Sequence, residues 1–90
     1  MPHVKFTRNL RRFFPDLVEI TVEGTTVAEV VAALEARHKG LAGYLVDERG
    51  SLRRHVNIFV NNELVADRRT LGDPVDEKTQ IHIIQALSGG

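Results

Sequence analysis

The chain contains no cysteine. That excludes a disulfide framework, a thiolate nucleophile and a cysteine-ligated metal, and it is compatible with a reducing compartment. There is no surplus of charge either: twelve basic residues balance twelve acidic ones. A neutral chain lacks the cationic excess that drives non-specific binding to nucleic acid. Aromatics are sparse, at 6%, too few to interleave with the arginines as a base-stacking surface. No apolar run approaches the roughly 18 residues of a membrane span, and the opening MPHVKFTRNL lacks the apolar core of a signal peptide. With a length of 90 residues, these absences predict one small, soluble, cytoplasmic domain that binds neither membrane nor nucleic acid.

Catalytic and metal-binding motifs are missing too. His3, His38, His55 and His82 have no i, i+4 pairing of the zinc-protease kind, so no metal site is expected. Gly40 and Gly43 match neither phosphate-loop pattern, and no serine sits in a nucleophile elbow.

What is present is alternation. HVKFTR places Val4 and Phe6 on one face, and LVEITVE places Val18, Ile20 and Val22 on one face. Two such strands, separated by the polar break NLRRFFPD, predict a hairpin joined by a loop. The period then changes. Val27, Val30, Val31 and Leu34 fall at helical spacing, and Thr26 with Glu29 forms a capping-box pattern. Arg37, His38 and Lys39 suit a helix C-terminus, and Gly40 suits a left-handed stop. Leu41, Tyr44 and Leu45 read as a short packed turn, and 47–51 as an exposed loop.

Period two returns in RRHVNIFV, with Val56, Ile58 and Val60 inward. Asn61–Asn62 suits a tight turn, because Asn tolerates positive φ. ELVA is a short return strand, and QIHIIQAL is the last strand with Ile81 and Ile83 inward. The order β-β-α-β-β-β predicts an α+β fold in which a mixed sheet of about five strands is covered on one face by one helix. With the first and last strands central, this is the β-grasp arrangement, although other α+β sheets share the same order.

Three groups of residues invite a functional reading. Arg11–Arg12, Arg53–Arg54 and Arg68–Arg69 form three basic pairs, for which Glu63 and Asp67 are the nearest candidate partners; if the pairs do bind, a protein is the favoured ligand. One helix covers only one sheet face, so Phe59, His82 and Ile84 face away from it. They form a docking patch, or a surface that the 41–52 segment folds back over, or single apolar residues that are simply exposed. The third is the ending, IIQALSGG. A frayed terminus accounts for most terminal glycines. Here Ser88, Gly89 and Gly90 directly follow a strand that aims them, and a side-chain-free arm can enter a channel that side chains would block.

At this point the chain resembles a family, the MoaD/ThiS ubiquitin-like sulfur carriers. The resemblance covers essentially the whole chain, through TTVAEVVAAL, VNIFVNNELV and the TLGDPV…QIHIIQALSGG ending. It is similar to the longer members: molybdopterin synthase small subunits and carriers that serve cysteine biosynthesis. It departs from many members in having Lys78–Thr79 where they have Gly-Asp.

The resemblance implies a β-grasp domain over 1–87 and a tail over 88–90. It implies that an E1-like adenylating enzyme, using ATP, activates the Gly90 carboxylate for conversion to a thiocarboxylate. A sulfur-accepting synthase or large subunit would then receive the sulfur. The chain itself would bind no cofactor and would be a carrier rather than an enzyme. Partners would dock on Phe59, His82, Ile84 and Leu87, with Ser88 and Gly89 as the arm. Two other readings stay open: a protein modifier joined to lysines through Gly90, and an interaction domain with an inert tail.

Overall fold

The computed structural model describes residues 1–12, 14–17 and 19–85. Along the chain lie β1 (His3–Phe6), α1 (Arg8–Arg11), β2 (Ile20–Thr21), α2 (Val27–Arg37), α3 (Leu41–Leu45), β3 (Val56–Val60), β4 (Glu63–Leu64) and β5 (Gln80–Gln85). The strands form one sheet in the order β2-β1-β5-β3-β4. β5 pairs in parallel with β1 and antiparallel with β3, so the sheet is mixed and the last strand lies at its centre. This is the β-grasp arrangement, with first and last strands adjacent as expected.

The core lies between the sheet and α2. Val27, Val30, Val31 and Leu34 are all buried, as the helical spacing requires, and they share one cluster with Val4, Phe6, Val56, Ile58, Ile81 and Ile83. Of the expected inward residues, Ile20 and Val60 are only half-buried, and Val18 lies outside the described residues. The β2 pairing spans Ile20–Thr21 alone, shorter than the alternation in LVEITVE suggests.

Two expectations need correction. The cover is not one helix. The 9–16 segment, read as a polar loop, holds most of α1 and places Leu10 in the core; Leu17, read as the start of the next strand, is buried too, and α3 adds Leu41 and Leu45. Isolated leucines in polar surroundings show no period, so only the tertiary contacts reveal that they are buried. Tyr44, expected to pack inward, is 37% exposed and meets Phe14 edge-on, with ring centroids 5.3 Å apart.

The capping box is also displaced by one residue. Thr26 Oγ1 accepts from the Glu29 amide (3.2 Å), but the Glu29 carboxylate takes the amide and hydroxyl of Thr25, not the amide of Thr26. The other free amides of the first turn are satisfied from far along the chain. Val27 N–H donates to the Asp73 carbonyl (3.0 Å), and Ala28 N–H to the Leu71 carbonyl (2.8 Å). At the other end α2 stops at His38, and Gly40 (φ 95°) begins α3 instead of ending α2. The Glu35 carboxylate accepts the Gly40 and Ala42 amides there.

The Asn61–Asn62 turn forms as expected, with φ of 50° and 72°. Beyond β4 the backbone from Val65 to Thr79 has little ladder pairing, so carboxylates hold it instead. Asp73 accepts the Ala66 and Asp67 amides, both at 2.8 Å. Asp67 accepts the amides of Arg69, Thr70 and Gly72 and the Thr70 hydroxyl. These bonds hold Leu71, a buried non-glycine residue, in the left-handed region at φ 55°. Thr79 is buried at the turn that begins β5, where its hydroxyl oxygen accepts the Asp76 amide (2.8 Å).

Two predictions follow from this packing. Leu34→Ala should cost about 2–5 kcal/mol in urea unfolding, whereas Leu64→Ala, at an exposed position, should change stability by less than about 0.5 kcal/mol. The second concerns acid. The Thr70 hydroxyl, then the Thr70 and Gly72 amides, hold the Asp67 carboxyl down from 3.8 to about 2. A depressed pKa contributes stability above the unfolded-state value, and that contribution is lost as pH falls through the folded one. The urea midpoint should therefore drop between 3.8 and about 2. Asp67→Asn should be less stable at neutral pH and should have a shallower drop. A residual slope should remain, because Glu29, Glu35, Asp47 and Asp76 are also lowered by amide hydrogen bonds.

Candidate functional site

The site is built around the end of β5. Gln85 stands opposite Val56 of β3, and its amide donates to Thr7 Oγ1 at 3.3 Å. The Thr7 amide in turn donates to the Ile83 carbonyl at 3.2 Å. The strand is therefore held on both sides at the point where the chain leaves it. Leu87, Ser88, Gly89 and Gly90 lie outside the described residues; the structure describes the strand end they follow.

Side chains of β5 alternate across the sheet. Ile81 and Ile83 enter the core, while His82 is exposed and Ile84 half-buried on the opposite face. Register decides their neighbours. Phe59 pairs with His82 and Asn57 with Ile84 across β3–β5; Lys5 pairs with His82 across β1–β5. Phe59, His82 and Ile84 thus share one face, as their alternation predicts. A surface pocket of about 210 Å³ lies beside them, lined by Lys5, Phe59, Asn62, Gln80, Ile81 and His82. The 41–52 segment does not fold over this face: Leu41, Leu45 and Leu52 are buried on the α2 side.

Two members of the face were missed in the sequence. Leu64, 57% exposed, stands opposite Phe59. Its signal was available, since a two-residue Asn-Asn turn sets Val60 against Glu63 and therefore Phe59 against Leu64. Lys5 had no such signal, because the parallel register of β1 on β5 is set by packing. At the β2 edge, His3 Nε2 meets Glu19 Oε2 at 3.0 Å. That hydrogen bond, with Lys5 and Arg11 nearby, holds the Glu19 carboxyl below its ordinary range.

The arginine pairs do not find the expected partners. Arg68 donates to the carbonyls of Arg53 (2.8 Å) and Val56 (2.9 Å) and to Asn57 Oδ1 (2.9 Å), not to Glu63. Arg53 Nε donates to the Gly43 carbonyl at 2.8 Å. Asp67 is occupied by its own turn. The Arg68 guanidinium thus binds the Val56 carbonyl at the start of β3 and adds a second donor to the Arg53 carbonyl, which already accepts the Val56 amide.

Among the described residues no cluster of three or more His, Asp or Glu side chains is placed to hold a metal. No described helix is long and apolar enough to cross a membrane. The arrangement combines an open sheet face of mixed apolar and polar character, with Lys5 on it, and a strand end clamped beside it.

Such a sheet, gripping one long helix and running out from its central strand, defines a ubiquitin-like β-grasp domain. More narrowly, the chain belongs to the ThiS family, whose model matches residues 4–90. It is 33% identical over 73 residues to the sulfur carrier protein CysO of Mycobacterium tuberculosis, covering 79% of this chain and 78% of that protein. It is 29% identical over 68 residues to small archaeal modifier protein 3 of Haloferax volcanii, covering 76% and 73%. Among solved structures, it superposes on a chain of the Amycolatopsis orientalis BexX/CysO complex with a TM-score of 0.85 and 29% identity, covering 100% of both. These relatives bear the names of carriers and modifiers, not of catalysts.

The clamp on β5 is open to test. In Thr7→Val the Gln85 amide loses its Thr7 acceptor, so its hydrogen exchange should accelerate relative to wild type. Exchange at Ile81 and Ile83, inside the ladder, should stay slow, and stability should fall by about 1 kcal/mol or less.

Proposed function

We propose that the chain is a sulfur carrier whose Gly90 carboxylate is the reacting group. The observation that carries this reading is the family match over residues 4–90, which takes in Gly89 and Gly90. The sulfur carrier relative supports it, as does a strand end held from both sides at Gln85.

In this reading the Gly90 carboxylate attacks the α-phosphorus of ATP on an E1-like adenylating enzyme, and pyrophosphate leaves. The acyl-adenylate is a mixed anhydride. Hydrosulfide supplied by a donor attacks its carbonyl carbon, AMP departs with the bonding pair, and a terminal thiocarboxylate remains. Its sulfur then displaces the leaving group of an activated substrate on a sulfur-accepting synthase, and hydrolysis of the resulting thioester restores the carboxylate and leaves the sulfur on the substrate as a thiol. Glycine leaves the carbonyl open to attack from either side. ATP is bound by the partner. The open face of Phe59, His82, Ile84 and Leu64 is where that partner docks, its apolar centre supplying most of the contact energy. Cysteine or molybdenum-cofactor biosynthesis is the pathway served.

The second reading, a modifier joined to lysines through Gly90, is favoured by the similarity to small archaeal modifier protein 3. Intact-mass analysis of the protein from its native host separates the two. A carrier gains the mass difference between sulfur and oxygen, and alkylation places the label on Gly90. A modifier instead appears in lysine-linked conjugates. Gly90→Ala should abolish either product with an unchanged thermal midpoint. A large loss of stability in that variant would assign the tail a structural role and defeat the proposal.

A further inference from the structure

The chain is neutral overall, but cations gather at one end of the sheet. At the end where β5 leaves, the register brings together three arginine positions. Arg8 directly follows Thr7, the residue that holds Gln85 from β1. Arg54 lies two residues before Val56, the partner of Gln85 on β3. Arg68 is fixed on the Val56 carbonyl and Asn57 Oδ1. Arg8 and Arg54 are exposed, and among the described residues neither has a carboxylate within ion-pair distance. Arg53, by contrast, spends its Nε on the Gly43 carbonyl.

The opposite end carries both signs. Glu63 stands at the β3–β4 turn, and Asp76 and Glu77 precede β5, all exposed, but exposed Lys78 follows them and the N-terminal ammonium donates to the Glu77 carbonyl at 3.5 Å. The cationic end is continuous with the open face, because Asn57, which Arg68 touches, pairs with Ile84. An apolar centre with a charged rim is the anatomy of a protein interface. Nucleic acid fits less well. The net charge is zero, and Phe59 is the aromatic residue that β3 and β5 bring to that face.

We propose that Arg8, Arg54 and Arg68 form a cationic collar at the root of the tail, and that it seats an acidic surface on the protein that receives the tail. The identity of that partner rests on the carrier reading; the acidic character of the surface does not. The collar would steer the tail end first, because exposed cations without carboxylate partners attract that surface from a distance.

The test is an amide chemical-shift titration of the full chain with a poly-glutamate peptide. The largest shifts are expected at Thr7, Arg8, Arg54 and Arg68, and they should vanish at about 0.5 M salt. Arg8→Glu with Arg54→Glu should weaken binding about tenfold or more, with an unchanged urea midpoint because both side chains are exposed. Arg37→Glu with Lys39→Glu, at the end of α2, should leave binding unchanged. The collar is refuted by shifts centred elsewhere, by equal losses in the two double variants, or by an unstructured oligonucleotide binding the same residues more tightly than the peptide. Sulfur loading at Gly90 is read separately by intact mass, so either proposal can fail alone.

Discussion

The structure depends on pairing along both edges of β5. Parallel contact with β1 and antiparallel contact with β3 place the last strand at the centre of the sheet. With both edges used, the strand cannot slip, because a one-residue shift would send Ile81 and Ile83 out to water and His82 into the core. The same register aligns Phe59 with His82 and Asn57 with Ile84. One set of backbone hydrogen bonds therefore orders the core on one side and the exposed face on the other, and fixes the position of Gln85.

The remaining framework serves to close the cover over that core. α2 supplies four buried side chains, but its first-turn amides would be unsatisfied if it stood alone. The Leu71 and Asp73 carbonyls satisfy two of them, and Asp67 and Asp73 in turn hold that loop. Helix, loop and sheet are thus mutually dependent, as a small domain with a narrow stability margin requires. Exposed carboxylates bound to backbone amides take the place of ladder hydrogen bonds across 65–79.

Family membership joins this framework to a function class. A carrier needs a rigid body to be recognised and a terminus free of side chains to react. The described fold provides the first, with an open face whose apolar residues sit beside cations. The named relatives are a sulfur carrier and a protein modifier.

Much of this was legible in the sequence. Period-two alternation in HVKF, VNIFV and QIHII named the strands and their inward faces, since a strand must send alternate side chains to opposite sides. The spacing of Val27, Val30, Val31 and Leu34 named the helix, and Asn61–Asn62 named its turn, because both are local steric matters. The Gly-Gly ending and the resemblance named the family. What only the tertiary structure decided was non-local. Leu10 and Leu17 became core because the chain passes beneath the sheet there, which no period announces. Lys5 joined His82 because parallel register is set by packing and not by a turn. Arg68 turned to the Val56 carbonyl, the Arg53 carbonyl and Asn57 instead of a carboxylate because three fixed acceptors near the start of β3 fit its planar fork. Local sterics are written in neighbouring residues; which distant groups satisfy one another is settled only when the sheet closes.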